Sequence, residues 1–456
     1  MSSESCDIYM EETTHLFSKK ELWKLLVPLM VEQLLTSLMG TADTIMVSNV
    51  GSEAISAVSL VDSINVLVIQ AFAALAAGGA ILCAHYIGSA NRGKANEAAR
   101  QVLFIITVIS LGVMAFCLAL RRPLLTLIFG EVDAGVMEAA EIYFLYTACS
   151  FPFIAIYDAC ASIFRSIENS RLPMVISMIS NAMNICGNAI LIFGFHMGVA
   201  GAAISTLISR IFCAIVILCY LRKPKQEIVV KSYHTIRPNG KMIHRILAIG
   251  IPSGIENSMF QFGKLVIQST VSTLGTVAIA AQAMTNVLEV LNGLAAMGIG
   301  IGLMTIVGQC IGAGREDEAV YYIKRLSILS EFVVIISCAI VLAITVPVTT
   351  IGGMEPESAK LCLQMMIAIS IVKPLVWNWA FIPAYGLRAA GDVRYSMLVS
   401  VLSMWTFRVT LCIYLCRYVG IGPMGVWIGM FTDWTVRGIA FGIRFHSRKF
   451  LKHKVI

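Results

Sequence analysis

Residues 22–49 read LWKLLVPLMVEQLLTSLMGTADTIMVSN. The stretch is long and apolar enough for a bilayer span, which needs about 20 residues. It also holds Pro28, Glu32 and Asp43. A proline inside a helix removes a backbone hydrogen bond and bends the helix. A carboxylate inside hydrocarbon is unfavourable and is therefore a functional candidate. Gln33, Thr36, Gly40 and Asp43 follow one another at helical spacing, so they line one stripe of the span.

The rest of the chain repeats this pattern. Of its 456 residues, 58% are hydrophobic and 13% charged, with a mean hydropathy of +0.81. Soluble domains carry roughly 25% charged residues. Further apolar stretches fall at 54–88, 97–120, 134–164, 173–195, 199–221, 243–273, 277–311, 320–348, 359–387, 396–416 and 424–443. The expected fold is an all-α membrane protein of about twelve spans. The first 21 residues are polar and partly acidic (Glu4, Asp7, Glu11, Glu12), so the first apolar stretch is expected to stay as a span.

The net charge of +7 is topological and does not point to nucleic acid. With the N-terminus inside, basic residues crowd the inner segments, while the outer loops hold only Arg121, Arg122, Lys360 and Arg417. The positive-inside rule then places both termini in the cytoplasm. The thirteen cysteines form no CxxC pair and mostly sit in apolar runs, where they read as small apolar side chains.

Residues 222–242 form a long basic linker halfway along the chain, which invites a search for a repeat. Pro28 and Pro252 lie 224 residues apart, and the same offset pairs Glu32 with Glu256, Gly51 with Gly275, Gly78 with Gly302 and Gly88 with Gly312. An offset of 223 pairs Arg165 and Arg171 with Arg388 and Arg394. The chain therefore divides into an N-terminal tail (1–21), an N-lobe (22–221), the linker, a C-lobe (243–443) and a basic tail (444–456). Six spans per half is an even number, so the two six-helix bundles are expected to be parallel, related by a pseudo-two-fold axis along the membrane normal.

Ionisable residues inside the spans are few. Asp43 stands out, because span 5 offers Ser177, Asn181, Asn184 and Asn188 on one face and span 6 offers Thr206 and Ser209. One carboxylate among amides and hydroxyls makes a small oxygen-lined cation site, and a carboxylate away from water there can take and release a proton near neutral pH. The same stripes also serve as glue between helices. In the second half, Ser253, Asn257, Gln261, Lys264 and Gln268 make a polar face on span 7 with Glu256 beside it, Glu256 and Lys264 stand about two turns apart, and Glu289 and Arg408 could add a second pair. These residues, with Gln33 and Asp62, read either as the wall of a substrate cavity or as a charge network that holds the bundle. Asp433 and Arg437, four residues apart, are expected to neutralise each other. Pro28 and Pro252 are candidate hinges. No HExxH, GxxxxGKS/T or GxSxG motif is present, so no enzyme is expected.

Four features together resemble the multidrug and toxic compound extrusion (MATE) family. They are Val307-Gly-Gln-Cys-Ile-Gly-Ala-Gly314, Leu387-Arg-Ala-Ala-Gly-Asp392, Pro28 fifteen residues before Asp43, and Asn181-x-x-Asn184 followed by Gly198-Val-Ala-Gly-Ala-Ala203. The likeness covers about residues 20–440. It implies two lobes of six helices and antiport of organic cations or other amphiphiles against H⁺ or Na⁺. It also implies that the coupling cation sits at Asp43, Asn184, Asn188 and Thr206. Asn188 stands where the family often has an aspartate, so the site has one formal charge. A family branch with carboxylates in spans 7 and 10 is not matched: Trp377 stands at the span-10 position and Glu256 lies about a turn from the span-7 position. The resemblance further implies the bacterial inner membrane, with no metal beyond a Na⁺ at Asp43 and no other cofactor. The expected partners are small amphiphilic or cationic substrates and membrane lipid, and the expected state is a monomer. A flippase for a lipid-linked or polysaccharide precursor is the alternative.

Overall fold

A computed structural model describes residues 15–130, 133–224, 226–231, 233, 236–453 and 455–456. The acidic residues Glu4, Asp7, Glu11 and Glu12, linker Lys225 and tail Lys454 lie outside the described residues. Helices account for nearly all of the rest, and no strand occurs among the described residues.

In chain order the first half contains α1 (Lys19–Ser48), α2 (Ser52–Gly88), α3 (Arg92–Ala119) and a short α4 (Arg121–Phe129). It continues with α5 (Ala134–Cys149), α6 (Phe151–Ser166), α7 (Arg171–Asn188) and α8 (Gly198–Leu221). The second half contains α9 (Gly240–Val271), α10 (Thr276–Gly312), α11 (Glu316–Ile351), α12 (Pro356–Ala389), α13 (Val393–Ser403), α14 (Thr410–Tyr414) and α15 (Met424–His446). Eight helical segments are long and apolar enough to cross a membrane, and α5 with α6, bent by 42°, make a ninth as a pair. The bend falls at Ser150, just before Pro152 in the first turn of α6. The remaining long helices are α1, α9 and α15, which carry Glu32 and Asp43, Glu256 and Lys264, and Asp433 and Arg437. With these three the described residues account for the twelve spans expected from the sequence. Their polar load is what separates them from the other nine.

Pro28 and Pro252 both lie inside continuous helices. Three π turns interrupt the fifth spans, one in the first half and two in the second, where Leu415–Val419 follows α14. Ala189–Gly194 follows α7 directly, and Met404–Val409 links α13 to α14. A π turn takes up an extra residue without breaking the helix, and such turns are frequent at functional sites.

The chain forms two compact units. Among the described residues, one comprises those within 32–83 and 91–258; the other comprises those within 15–31, 84–90 and 259–456. The division therefore does not run along the 222–242 linker. It cuts α1 three residues after Pro28 and α9 six residues after Pro252. Glycines explain the assignment. In the first unit a Cβ on Gly78 would lie 2.9 Å from the backbone N of Gly250, so α2 and α9 meet backbone to backbone. In the second unit a Cβ on Gly298 would lie 2.7 Å from the backbone N of Met30, so α10 closes on the start of α1 in the same way. The linker itself is anchored within the first unit. Val229 donates its backbone N–H to Asn96 Oδ1 at 2.8 Å, Gln101 Nε2 donates to the Arg237 carbonyl at 2.8 Å, and Ile228 and Val230 are fully buried.

The second unit has a large apolar core in which Leu25, Leu26 and Leu29 of α1 pack with Ile299, Leu303, Tyr322, Trp377 and Trp434. In the first unit, Phe72 and Phe151 meet edge to face at 6.2 Å, and Phe144 and Phe164 are fully buried.

Candidate functional site

The four residues expected to hold a cation come together in the first unit. Asn188 Nδ2 donates to Asp43 Oδ1 at 2.7 Å and lies 3.3 Å from Asn184 Oδ1. Asn184 reaches Thr206 Oγ1 at 3.2 Å. With its amide turned end for end, Asn184 instead donates to Asp43 Oδ1 at 2.7 Å and accepts from Thr206 at 3.2 Å, which satisfies both ends of the group. Asn184 and Asn188 are buried, while Asp43 and Thr206 are partly open. The Asn188 carbonyl oxygen is buried and has no hydrogen-bond partner among the described residues. An oxygen without a donor, next to a carboxylate, suits a hard cation that prefers oxygen ligands. Asn188 is the last α-helical residue before the π turn Ala189–Gly194, so the change of helical pitch begins at the site.

Other polar side chains surround this group. Asp62 Oδ1 accepts from Tyr143 at 3.2 Å and from Asn65 at 3.1 Å. Arg210 donates to Ser150 Oγ at 2.7 Å. Both Asp62 and Arg210 act electrostatically on Asp43. Glu32, buried on the same helix as Asp43, pairs with Arg165 Nη2 at 2.7 Å. Neither Arg165 nor Tyr143 stands out in the sequence as a partner of these carboxylates. No spacing rule links them to their partners, which are 133 and 81 residues away. Gln33 is partly buried beside Glu32.

The second unit arranges its charges differently from the expectation. Glu289 and Arg408 do not pair. Lys373 takes Glu289 at 2.5 Å, and Arg408 Nη2 takes Asp433 Oδ2 at 2.6 Å. Arg437 Nε holds the other oxygen of Asp433 at 2.8 Å, which is the pair expected from their spacing. The reason is geometric: Arg408 sits in the π turn Met404–Val409, which packs on α15 and turns the guanidinium toward Asp433. In α9, Gln261 is partly buried and Lys264 is exposed, while Glu256, buried, falls in the part of α9 that belongs to the first unit. No cluster of His, Cys, Asp and Glu suited to a metal occurs among the described residues.

Comparison with known proteins decides the family. The model of the MatE family matches twice, over residues 28–190 and 252–414. The chain belongs to the MatE family. The two matches begin at Pro28 and Pro252, the residues that anchor the internal repeat. A relative from Thermotoga maritima, named probable multidrug resistance protein NorM, is 28% identical over 96% of this chain and 94% of its own. The uncharacterised transporter YisQ of Bacillus subtilis is 27% identical, with 94% of each chain covered. Among solved structures, an outward-facing conformation of a multidrug resistance MATE family transporter of the MOP superfamily superposes with a TM-score of 0.86. It shares 19% identity and covers 94% of this chain and 95% of its own, a likeness in fold. The chain is thus a membrane protein of a transporter family, and the family match does not favour the flippase alternative.

Proposed function

We propose that this MatE chain is a secondary active exporter that moves organic cations or other amphiphiles outward while H⁺ or Na⁺ moves inward. The observation that carries the reading is the Asp43 cluster: one carboxylate, two buried amides and a hydroxyl from three helices, with a spare oxygen on Asn188. The coupling ion binds at Asp43, Asn184, Asn188 and Thr206. Either ion fits this set, because a proton needs the carboxylate alone and Na⁺ needs the neutral oxygens as well. Asp43 shares α1 with Pro28, so occupancy of the site acts on a helix already weakened by a missing hydrogen bond. Pro252 plays the matching part in α9. The likeness to bacterial relatives supports a place in the bacterial inner membrane, with both termini cytoplasmic as the basic segments require. The working form is a monomer that needs no cofactor beyond its coupling ion.

The test is transport in vesicles of both orientations, with proton and sodium gradients imposed separately, for wild type and Asp43→Asn. The expected outcome is efflux driven by one gradient and lost in the variant. Undiminished gradient-driven efflux by Asp43→Asn would reject the site, and efflux indifferent to both gradients would reject antiport.

A further inference from the structure

Around Phe260 the second unit sets three cations against one carboxylate. Phe260 of α9 is ringed by cations: Lys264 Nζ lies 5.0 Å from the ring centroid, the Arg408 guanidinium 5.0 Å and that of Arg437 5.9 Å. One carboxylate, Asp433, serves both arginines. The next carboxylate, Glu289, acts on Lys264 electrostatically but is paired with Lys373. Among the described residues Lys264 makes no ion pair. Arg408 Nε and Arg437 Nη2 are buried and have no hydrogen-bond partner among the described residues, though both residues are at least 97% buried (2% and 3% exposed).

Unpaired donors on buried arginines are costly in a membrane protein and mark a place where a partner is missing. The missing partner must be an acceptor, and an anion compensates the excess charge as well. Lys264 is the reachable member of the group. It is exposed, one turn from Phe260, and is flanked by the exposed apolar side chains Phe262 and Leu265. A cation beside an aromatic ring and open apolar surface suits an amphiphile with an acidic head.

We propose that Lys264, Arg408 and Arg437 around Phe260 form a binding site for the carboxylate of an amphiphilic substrate. Anionic amphiphiles are then cargo alongside organic cations. This rests on the efflux reading above and deepens it by naming a substrate class. Lys264 makes first contact with the carboxylate; Arg408 and Arg437 supply the field behind it and, with their free N–H groups, further donors.

The experiment uses the full chain in proteoliposomes, with carboxyfluorescein as the acidic probe and ethidium as the permanent cation. Efflux is measured under imposed proton and sodium gradients, and equilibrium binding of carboxyfluorescein is measured by fluorescence anisotropy. Wild type is expected to bind and export carboxyfluorescein. Lys264→Met should weaken that binding roughly tenfold, the loss of one charge-assisted contact, and Lys264→Arg should restore it. Ethidium efflux should change less than carboxyfluorescein efflux in Lys264→Met. Equal loss of both dyes in Lys264→Met, or no binding of carboxyfluorescein by wild type, would overturn the proposal. An unchanged affinity in Lys264→Met would do the same and leave Lys264 as a lysine reaching for the membrane surface. If neither dye is exported under any gradient, the efflux reading fails by itself, and the anisotropy arm still decides the carboxylate site.

Discussion

The same place in the two units has opposite chemistry. In the first unit, Ser180 Oγ donates to the Ser209 carbonyl at 3.2 Å; in the second, Ser403 Oγ donates to the Asp433 carbonyl at 3.2 Å. A Cβ on Gly201 would lie 3.0 Å from Leu191 Cβ, and one on Gly425 3.0 Å from Leu415 Cβ. These contacts show the repeat in three dimensions. They also reconcile its two registers: Ser180 and Ser403 are 223 apart, whereas Leu191 and Leu415 are 224 apart, and the π turn Met404–Val409 between them absorbs the extra residue. With that register, Asp43, Asn188 and Thr206 correspond to Ile267, Cys412 and Met430. In the second unit these three lie in one apolar cluster. The scaffold is thus shared, while an oxygen-lined site in one unit is a sealed apolar plug in the other. The charge in the second unit has moved to Arg408, Asp433 and Arg437. A pair of related bundles need not carry related sites, because the backbone contacts that define the bundle are made by glycines, serines and carbonyls, and the site by a few other side chains.

This contrast can be broken by experiment. The largest effect is expected for Asp43→Asn, which should bring gradient-driven efflux to background while the protein still folds. Adding Ile267→Asp to that variant should not rescue transport, since Cys412 and Met430 offer no oxygen; rescue would show that the second unit holds a latent cation site. Next comes Asp433→Asn. It leaves Arg408 and Arg437 buried without their shared carboxylate, and removal of one partner of a buried pair costs about 3–5 kcal/mol. A strong drop in the apparent melting temperature in detergent is the expected readout, and an unchanged one would mean that the arginines find another anion.

Smaller effects sharpen the comparison. Asn188→Ala should weaken Na⁺ binding, because the site loses the spare amide oxygen next to the Asp43 carboxylate. Cys412→Ala at the matching position should leave ion dependence unchanged. Isothermal titration with Na⁺, or the proton dependence of efflux, separates the two. The smallest effects are expected for Ser180→Ala and Ser403→Ala, each of which loses one buried hydrogen bond worth about 1 kcal/mol. Their melting temperatures should fall by similar amounts, and a large inequality would show that the shared contact does not bear the same load in the two units.

Much of the N-terminal cluster was legible in the sequence. Asp43 was conspicuous because a carboxylate in an apolar run is rare; helical spacing marked the polar stripes of spans 5 and 6, and the family resemblance narrowed them to Asn184, Asn188 and Thr206. The second unit was less legible. Glu289 and Arg408 were each visible as charges inside spans, yet their partners proved to be Lys373 and Asp433. The pairing of Glu32 with Arg165 was hidden because Arg165 lies at the end of α6 and resembles an ordinary loop cation. The hydropathy of α1, α9 and α15 also understates them as spans, since the charges that matter most lower their apolar score.

The sequence by itself determined the spans, the membrane as their solvent, the repeat, and the rare polar residues that lipid would exclude. These follow from periodicity and transfer free energy, which act along the chain over a few turns. Only the tertiary structure decided which charges neutralise which, where the π turn Met404–Val409 aims Arg408, and that α1 and α9 are divided between the two units. Those outcomes depend on close approach of segments far apart in the chain, set by glycine contacts and packing, and no local pattern encodes them.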